Sequence, residues 1–240
     1  MIFEEPCSFQ FNDYLENKQI KLMSILYQFE SLGTHHSEYV GDYMDDRMAD
    51  GEAWIQLAWQ FHIHRRPVYR EAVRASTWVT GKGPSMILTR SFQLADEQGT
   101  RLVTAEAAYS IYNWQMQQSV HIGTKFYDMY QPEEERFYKR RLPRLRAPET
   151  WARELRIPLR RSDLDYNGHV HNTYYLNLAL ESIDEKDYWN AGISDVTLLY
   201  HAPLKEGDSA VVRCQEINAG YLISISNQED TLCTLVQLAR

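Results

Sequence analysis

Arg160-Arg161-Ser162-Asp163-Leu164-Asp165-Tyr166-Asn167-Gly168-His169-Val170-His171-Asn172 lies between a strand-like and a helix-like segment. Before it, RELRIPLRRSD (153–163) reads as a strand. After it, residues 170–184 place Tyr174, Leu178, Leu180 and Ile183 at helical spacing. Asp, Asn and Gly are turn formers and helix cappers, which alone accounts for their presence here. The same stretch sets a carboxylate, a carboxamide and an imidazole at alternate residues: Asp165, Asn167 and His169. Alternate residues of an extended chain can share a face. The helix start beside them offers free N–H groups and the positive end of a dipole. Together these are the parts of a general base next to a place for an oxyanion.

Working outward, four more strands follow the helix: VTLLYHA (196–202), SAVVRCQEI (209–217), GYLISIS (220–226) and TLCTLVQLA (231–239). PLKEGD, NAG and NQED separate them as turns. The first half has the same order. IKLMSILYQFESLG (20–33) places Ile20, Met23, Leu26, Tyr27 and Leu32 near helical spacing, with Gly33 as a stop. EAWIQLAWQFHIH (52–64), EAVRASTWVTGK (71–82), SMILTRSFQLADEQG (85–99) and TRLVTAEAAYSIYNW (100–114) read as strands, with RRP, GKGP and DEQG as turns. Two matched halves imply an internal duplication. HIHRRPVYREAVRAS can be laid on LLYHAPLKEGDSAVV with Pro67 on Pro203. The expected class is α+β, each half a long helix wrapped by an antiparallel sheet.

The chain has 240 residues and a net charge of −8, with 44% hydrophobic residues. That supplies a real core and excludes a disordered or collagen-like chain. So acidic a balance argues against general nucleic-acid binding. The charge is segregated. Residues 136–161 hold ten basic and two acidic residues, a local charge of +8 that leaves −16 elsewhere. With Pro132, Pro143 and Pro148, this reads as a solvated linker or as a landing patch for an acidic macromolecule. Cys7, Cys214 and Cys233 form no C-x-x-C pair, which suits reduced thiols and a cytoplasmic setting. MIFEEPCSFQFND carries acids and no apolar run of signal-peptide length, and no 18-residue apolar window marks a membrane span. His35-His36 and the pair His62 and His64 have no ligand-spaced partners, so no metal site is expected.

RRSDLDYNGHVHNTYYLNLALES (160–182) resembles the second-domain signature of the acyl-ACP thioesterases, in outline D-L-D-x-N-x-H-V-N-N-x-x-Y with E-S at the helix end. The first half is similar too: a strand beginning at Trp54, Pro67 to Glu71, Thr77-Trp78, and an aromatic-rich strand ending near Trp114. The resemblance implies two tandem hot-dog domains. We expect an N-terminal domain over 1–130 (pocket wall without a catalytic set), a basic linker over 131–152, and a catalytic C-terminal domain over 153–240. It further implies hydrolysis of fatty acyl thioesters on phosphopantetheine-bearing acyl carrier protein, without cofactor, metal or cysteine nucleophile. Asp165, Asn167 and His169 fall on the family's active-site positions, and backbone N–H groups of Gly168 and Val170 are candidates for the oxyanion. Arg140, Arg141, Arg144 and Arg146 are candidates for carrier docking. The enzyme would act as a monomer or homodimer.

One departure stands out. Family members carry a Glu in a Y-x-x-E pattern on the next strand, whereas here Tyr200-His201-Ala202-Pro203 puts Pro203 in that place. His201 and Glu181 are candidate stand-ins. The Pro203 to Asp208 turn also resembles acyl-CoA thioesterases, which keeps that activity open. A dehydratase and a decayed acyl-binding relative are further alternatives. Laying Glu30 on Glu181 puts Tyr14 on Asp165 and Lys18 on His169, so one active site per chain is expected. Trp54, Trp59, Trp78 and the first helix are candidates for its wall.

Overall fold

The computed structural model describes residues 1–81, 83–189 and 192–240. The first half contributes β1 (Phe3–Cys7), α1 (Leu22–Val40), α2 (Met44–Ala49), β2 (Glu52–Ile63), β3 (Val73–Thr80), β4 (Leu88–Asp96), β5 (Arg101–Asn113), β6 (Gln118–Val120) and α3 (Thr124–Tyr130). The second contributes β7 (Arg153–Pro158), α4 (Tyr174–Leu180), α5 (Glu185–Trp189), β8 (Asp195–Tyr200), β9 (Ser209–Ile217), β10 (Gly220–Ser226) and β11 (Leu232–Ala239). The turn expected at residues 81–84 includes Lys82, which lies outside the described residues.

The main sheet runs β1-β3-β4-β5-β2-β8-β11-β10-β9-β7, with β6 added on β5. The order is palindromic about the β2–β8 seam. There the halves pair antiparallel, with Ala58 opposite Leu199 and Phe61 opposite Val196. Two sheet edges that would otherwise lie open thus close on each other. Each half wraps its helix, the arrangement of a double hot-dog fold.

α1 buries Ile25, Leu26, Phe29 and Leu32 completely against the sheet. Phe29 meets Trp59 and Phe92 at centroid distances of 6.3 and 5.3 Å. The helix does not stop at Gly33. It continues to Val40 and ends at Gly41, whose φ of 81° gives the left-handed cap that glycine adopts freely. The second helix is shorter than expected, because Asn172 and Thr173 are not yet helical and α5 is separate.

Backbone hydrogen bonds set the register of the duplication and correct the sequence alignment by one residue in two places. Leu15 N–H donates to Gln19 O (2.8 Å), as Asp165 N–H does to His169 O (2.7 Å). Leu15 therefore matches Asp165, Gln19 matches His169, and Glu30 matches Leu180 rather than Glu181. Isolated bridges join Gln19 to Val68 and His169 to Lys205. Val68 thus matches Lys205, and Pro67 falls on Leu204 rather than Pro203.

The basic segment crosses the outer face of the sheet. Buried Glu106 on β5 accepts the N–H groups of Phe137 (2.6 Å) and Tyr138 (3.2 Å) and pairs with Arg136 at 2.6 Å. Trp78 faces outward as well, against Phe137, and donates to Glu135 O. No helix among the described residues is long and apolar enough to cross a membrane.

Candidate active site

Asp165 organises its own turn. Its Oδ1 accepts the N–H groups of Asn167 (2.8 Å) and His169 (3.2 Å). Gly168, at φ 73°, donates its N–H to Asp165 O at 3.0 Å. The conformation is one that glycine adopts without a Cβ clash. Two anchors fix the turn from below: His171 N–H donates to Asp163 O (3.0 Å) and Val170 N–H to Leu204 O (2.9 Å). The Asp163 carboxylate caps Arg160 N–H at 2.8 Å and pairs with the Arg160 guanidinium, so it serves the strand end. Asn167 is exposed, while Asp165 and His169 are half-buried.

A cleft of about 430 Å³ opens beside this turn, bounded by α1 and by strands of the first half. Asn167 and Asn172 line it from the second half, and Glu30, Trp54, Gln56 and Tyr109 from the first. The Glu30 carboxylate stands 3.3 Å from Nε2 of His171, whose Nδ1 is 2.8 Å from the Thr173 hydroxyl. A hydroxyl can donate to Nδ1, which leaves Nε2–H facing the carboxylate. Burial, reinforced by the negative charge of Asp165, pushes the Glu30 carboxyl up to about 7. Burial lowers His171, and Asp165 opposes the shift. Tyr200 donates its hydroxyl to Asn172 O at 2.8 Å. Gln56 lies on β2 where the pairing with β5 shifts register, and its Nε2 is buried without a partner among the described residues.

Residues 2–130 match the acyl-ACP thioesterase N-terminal domain and residues 147–238 its C-terminal domain. The chain belongs to the acyl-ACP thioesterase family. Among curated relatives it is 24% identical over 212 residues to the chloroplastic oleoyl-acyl carrier protein thioesterase 1 of Arabidopsis thaliana, covering 80% of this chain and 58% of that one. The chloroplastic oleoyl-acyl carrier protein thioesterase of Coriandrum sativum also matches at 24%, over 80% of this chain and 56% of its own length. The chain thus spans little more than half the length of these relatives. Among solved structures, the 12:0-ACP thioesterase from Umbellularia californica superposes with a TM-score of 0.87 at 14% identity, covering 99% and 96% of the two chains. An acyl-ACP thioesterase from Bacteroides thetaiotaomicron gives 0.87 at 17% identity, covering 99% and 97%. These two share the double hot-dog fold with this chain.

Within this acyl-ACP thioesterase fold the expected trio of Asp165, Asn167 and His169 sits in one turn. Other expected groups do not join it. The N–H groups of Gly168 and Val170 are already bonded inside the protein, so neither is free to bind an oxyanion. Glu181 lines a separate groove with Asp163 and Leu155. His201 is exposed, and its N–H is held by Cys233 O at 2.8 Å. Of the three tryptophans only Trp54 lines the cleft; Trp59 is core and Trp78 lies under the linker. His62 pairs with Asp195, and His64 with Thr104.

Sequence reasoning missed Glu30, Gln56, His171, Asn172 and Tyr200. His171 extends the alternate-residue pattern by one step, a signal that was present. Glu30 and Gln56 carry none, because the second-half residues they meet in the site, His171 and Asn172, lie more than 100 positions away along the chain.

Proposed function

We propose that this protein hydrolyses the thioester of fatty acyl-acyl carrier protein, releasing free fatty acid and ending chain elongation. One observation supports the reading above others: the Asp165–Asn167–His169 turn stands at the edge of a cleft walled by Trp54, Tyr109 and Leu88. The acyl chain lies along that cleft, in the N-terminal half. The thioester carbonyl rests at the turn, beside Nε2 of Gln56, which has no partner among the described residues and replaces Gly168 and Val170 as donor to the developing oxyanion. Asn167 holds the substrate carbonyl or the attacking water, and His169 faces the leaving sulfur. Asp165 fixes both by holding their N–H groups. Water is the nucleophile. Cys7, Cys214 and Cys233 are buried, and burial pushes Cys7 up to about 12 and Cys233 to about 11, which suits inert thiols.

The carrier docks on the basic linker, where Arg140, Arg144 and Arg146 are exposed and Arg141, also exposed, reaches Ser85 Oγ at 2.7 Å. Basic side chains on that segment attract an acidic carrier and steer its approach. The domain roles are a wall and carboxylate supplied by residues 1–130, a basic linker over 131–152, and the catalytic turn in 153–240. The reaction takes place in the cytoplasm.

Release of free thiol from acyl-acyl carrier proteins and matched acyl-CoAs tests the reading. Hydrolysis of the carrier-bound substrates, lost in Asp165→Asn and His169→Ala, supports it. Preference for acyl-CoA would move the protein to the general thioesterases. No thiol release from either series would refute hydrolysis.

A further inference from the structure

We propose that Glu30, carried by α1 of the opposite half, is the general base that activates water in this site. The inference rests on the thioesterase reading and deepens it.

The geometry is specific. Glu30 lines the same cleft as Asn167 and Asn172, so its carboxylate faces the space where a substrate carbonyl would meet the turn. Its side chain is 28% exposed, enough for one water to reach it. The His171 imidazole at 3.3 Å orients it. Asp165, by contrast, already holds two backbone N–H groups and shapes the turn.

The duplicated half provides an independent view. At the register set by the backbone, Leu15 matches Asp165 and Leu180 matches Glu30. Leu15 and Leu180 line one small pocket of about 30 Å³. Arg66 also lines it, with its guanidinium donating to Ile20 O (2.8 Å) and Ile193 O (3.3 Å). The fold thus brings a helix residue of one half against the turn of the other in both copies. One copy sets two leucines around a pocket of about 30 Å³; in the other, Glu30 lies within electrostatic reach of Asp165 and lines the open cleft. By the same register Arg66 matches Pro203.

The groups around Glu30 suit a base working near neutral pH. Asp165 from the turn, Tyr27 from α1, Tyr109 from β5, Tyr200 from β8 and His171 surround it, and Arg90 acts on Tyr109. Burial, with the negative charge of Asp165 beside it, raises the Glu30 carboxyl and makes it a stronger base than an exposed glutamate. In the reaction Glu30 takes a proton from water as the water oxygen bonds to the thioester carbon. The carbonyl electron pair moves to oxygen. It then returns, the C–S bond breaks, and the Glu30 proton passes to the leaving sulfur. Acid and thiol leave, and the carboxylate is restored.

The test is thiol release from acyl-acyl carrier protein across pH 5–9, with wild type, Glu30→Gln and Glu30→Asp compared at equal folded fraction. We expect kcat of Glu30→Gln to fall by about 100-fold or more with KM little changed. The acidic limb of kcat/KM, near the value of about 7 that marks Glu30, should disappear, and Glu30→Asp should recover part of the rate. Glu30→Gln with near wild-type kcat overturns the assignment alone. A slow Glu30→Gln enzyme that keeps the acidic limb also overturns it, since the loss is then structural. A folded wild type inert on both carrier and CoA thioesters overturns the thioesterase reading itself.

Discussion

Glu30→Gln should stabilise the protein at alkaline pH, and the size of the effect follows from where the carboxylate sits. The group ionises near 4.5 when exposed and near 7 in the fold. Between those values the unfolded chain has released the proton and the folded chain still holds it. Stability is therefore fully present below pH 4.5 and is lost as pH rises through 7. At about 1.4 kcal/mol per pH unit the full difference would be roughly 3 kcal/mol. The side chain is 28% exposed, and solvent screening reduces this to about 1–2 kcal/mol. Glutamine has no charge to desolvate. The variant should match wild type near pH 4 and exceed it by about 1–2 kcal/mol above pH 8, or roughly 3–6 °C in Tm for a chain of this size. His171 is held neutral there, so little ion pairing is lost. Thermal and urea unfolding followed by circular dichroism from pH 4 to 9 measures the difference, and other titrations cancel between the two proteins. Parallel curves, or a variant less stable than wild type at pH 8, would show that Glu30 is not a desolvated carboxylate.

Three further outcomes are expected. Glu106→Ala leaves the Arg136 guanidinium and two N–H groups of the linker without their buried acceptor, so urea unfolding should show a loss of about 3–5 kcal/mol. Gly220→Ala should cost more than about 3 kcal/mol, because a Cβ there would lie 2.0 Å from Leu238 O at a φ of +147°; a near-normal Tm would disprove the close strand approach. Arg144→Glu with Arg146→Glu should raise KM for acyl-acyl carrier protein several-fold at low salt and leave acyl-CoA kinetics unchanged. Equal effects on the two substrates would place carrier docking elsewhere.

Much of the fold was legible because its signals are local. Alternation from Trp54 to Ile63, the apolar stripe of α1 and the Asp-Asn-Gly turn each depend on neighbours a few residues away. The Asp165–Asn167–His169 turn closes on itself through bonds spanning two to four residues, so its existence was written in the sequence. Register was not. Pro67 and Pro203 suggested one alignment of the halves, but backbone pairing placed the match one residue away, which changes every partner assigned across the duplication.

The sequence by itself determined the duplicated α+β order, the segregated charge and the turn that carries the trio. Tertiary structure decided who stands opposite that turn. Antiparallel pairing of β2 with β8 rotates one half against the other and sets α1 beside the second-half turn, bringing Glu30 to a His171 that is 141 positions away in the chain. It also decided which donors remain free: Leu204 O takes the Val170 N–H, while Nε2 of Gln56 has no partner among the described residues. Hydrogen-bond capacity is fixed by residue type, but its use depends on which groups the closed chain has already paired.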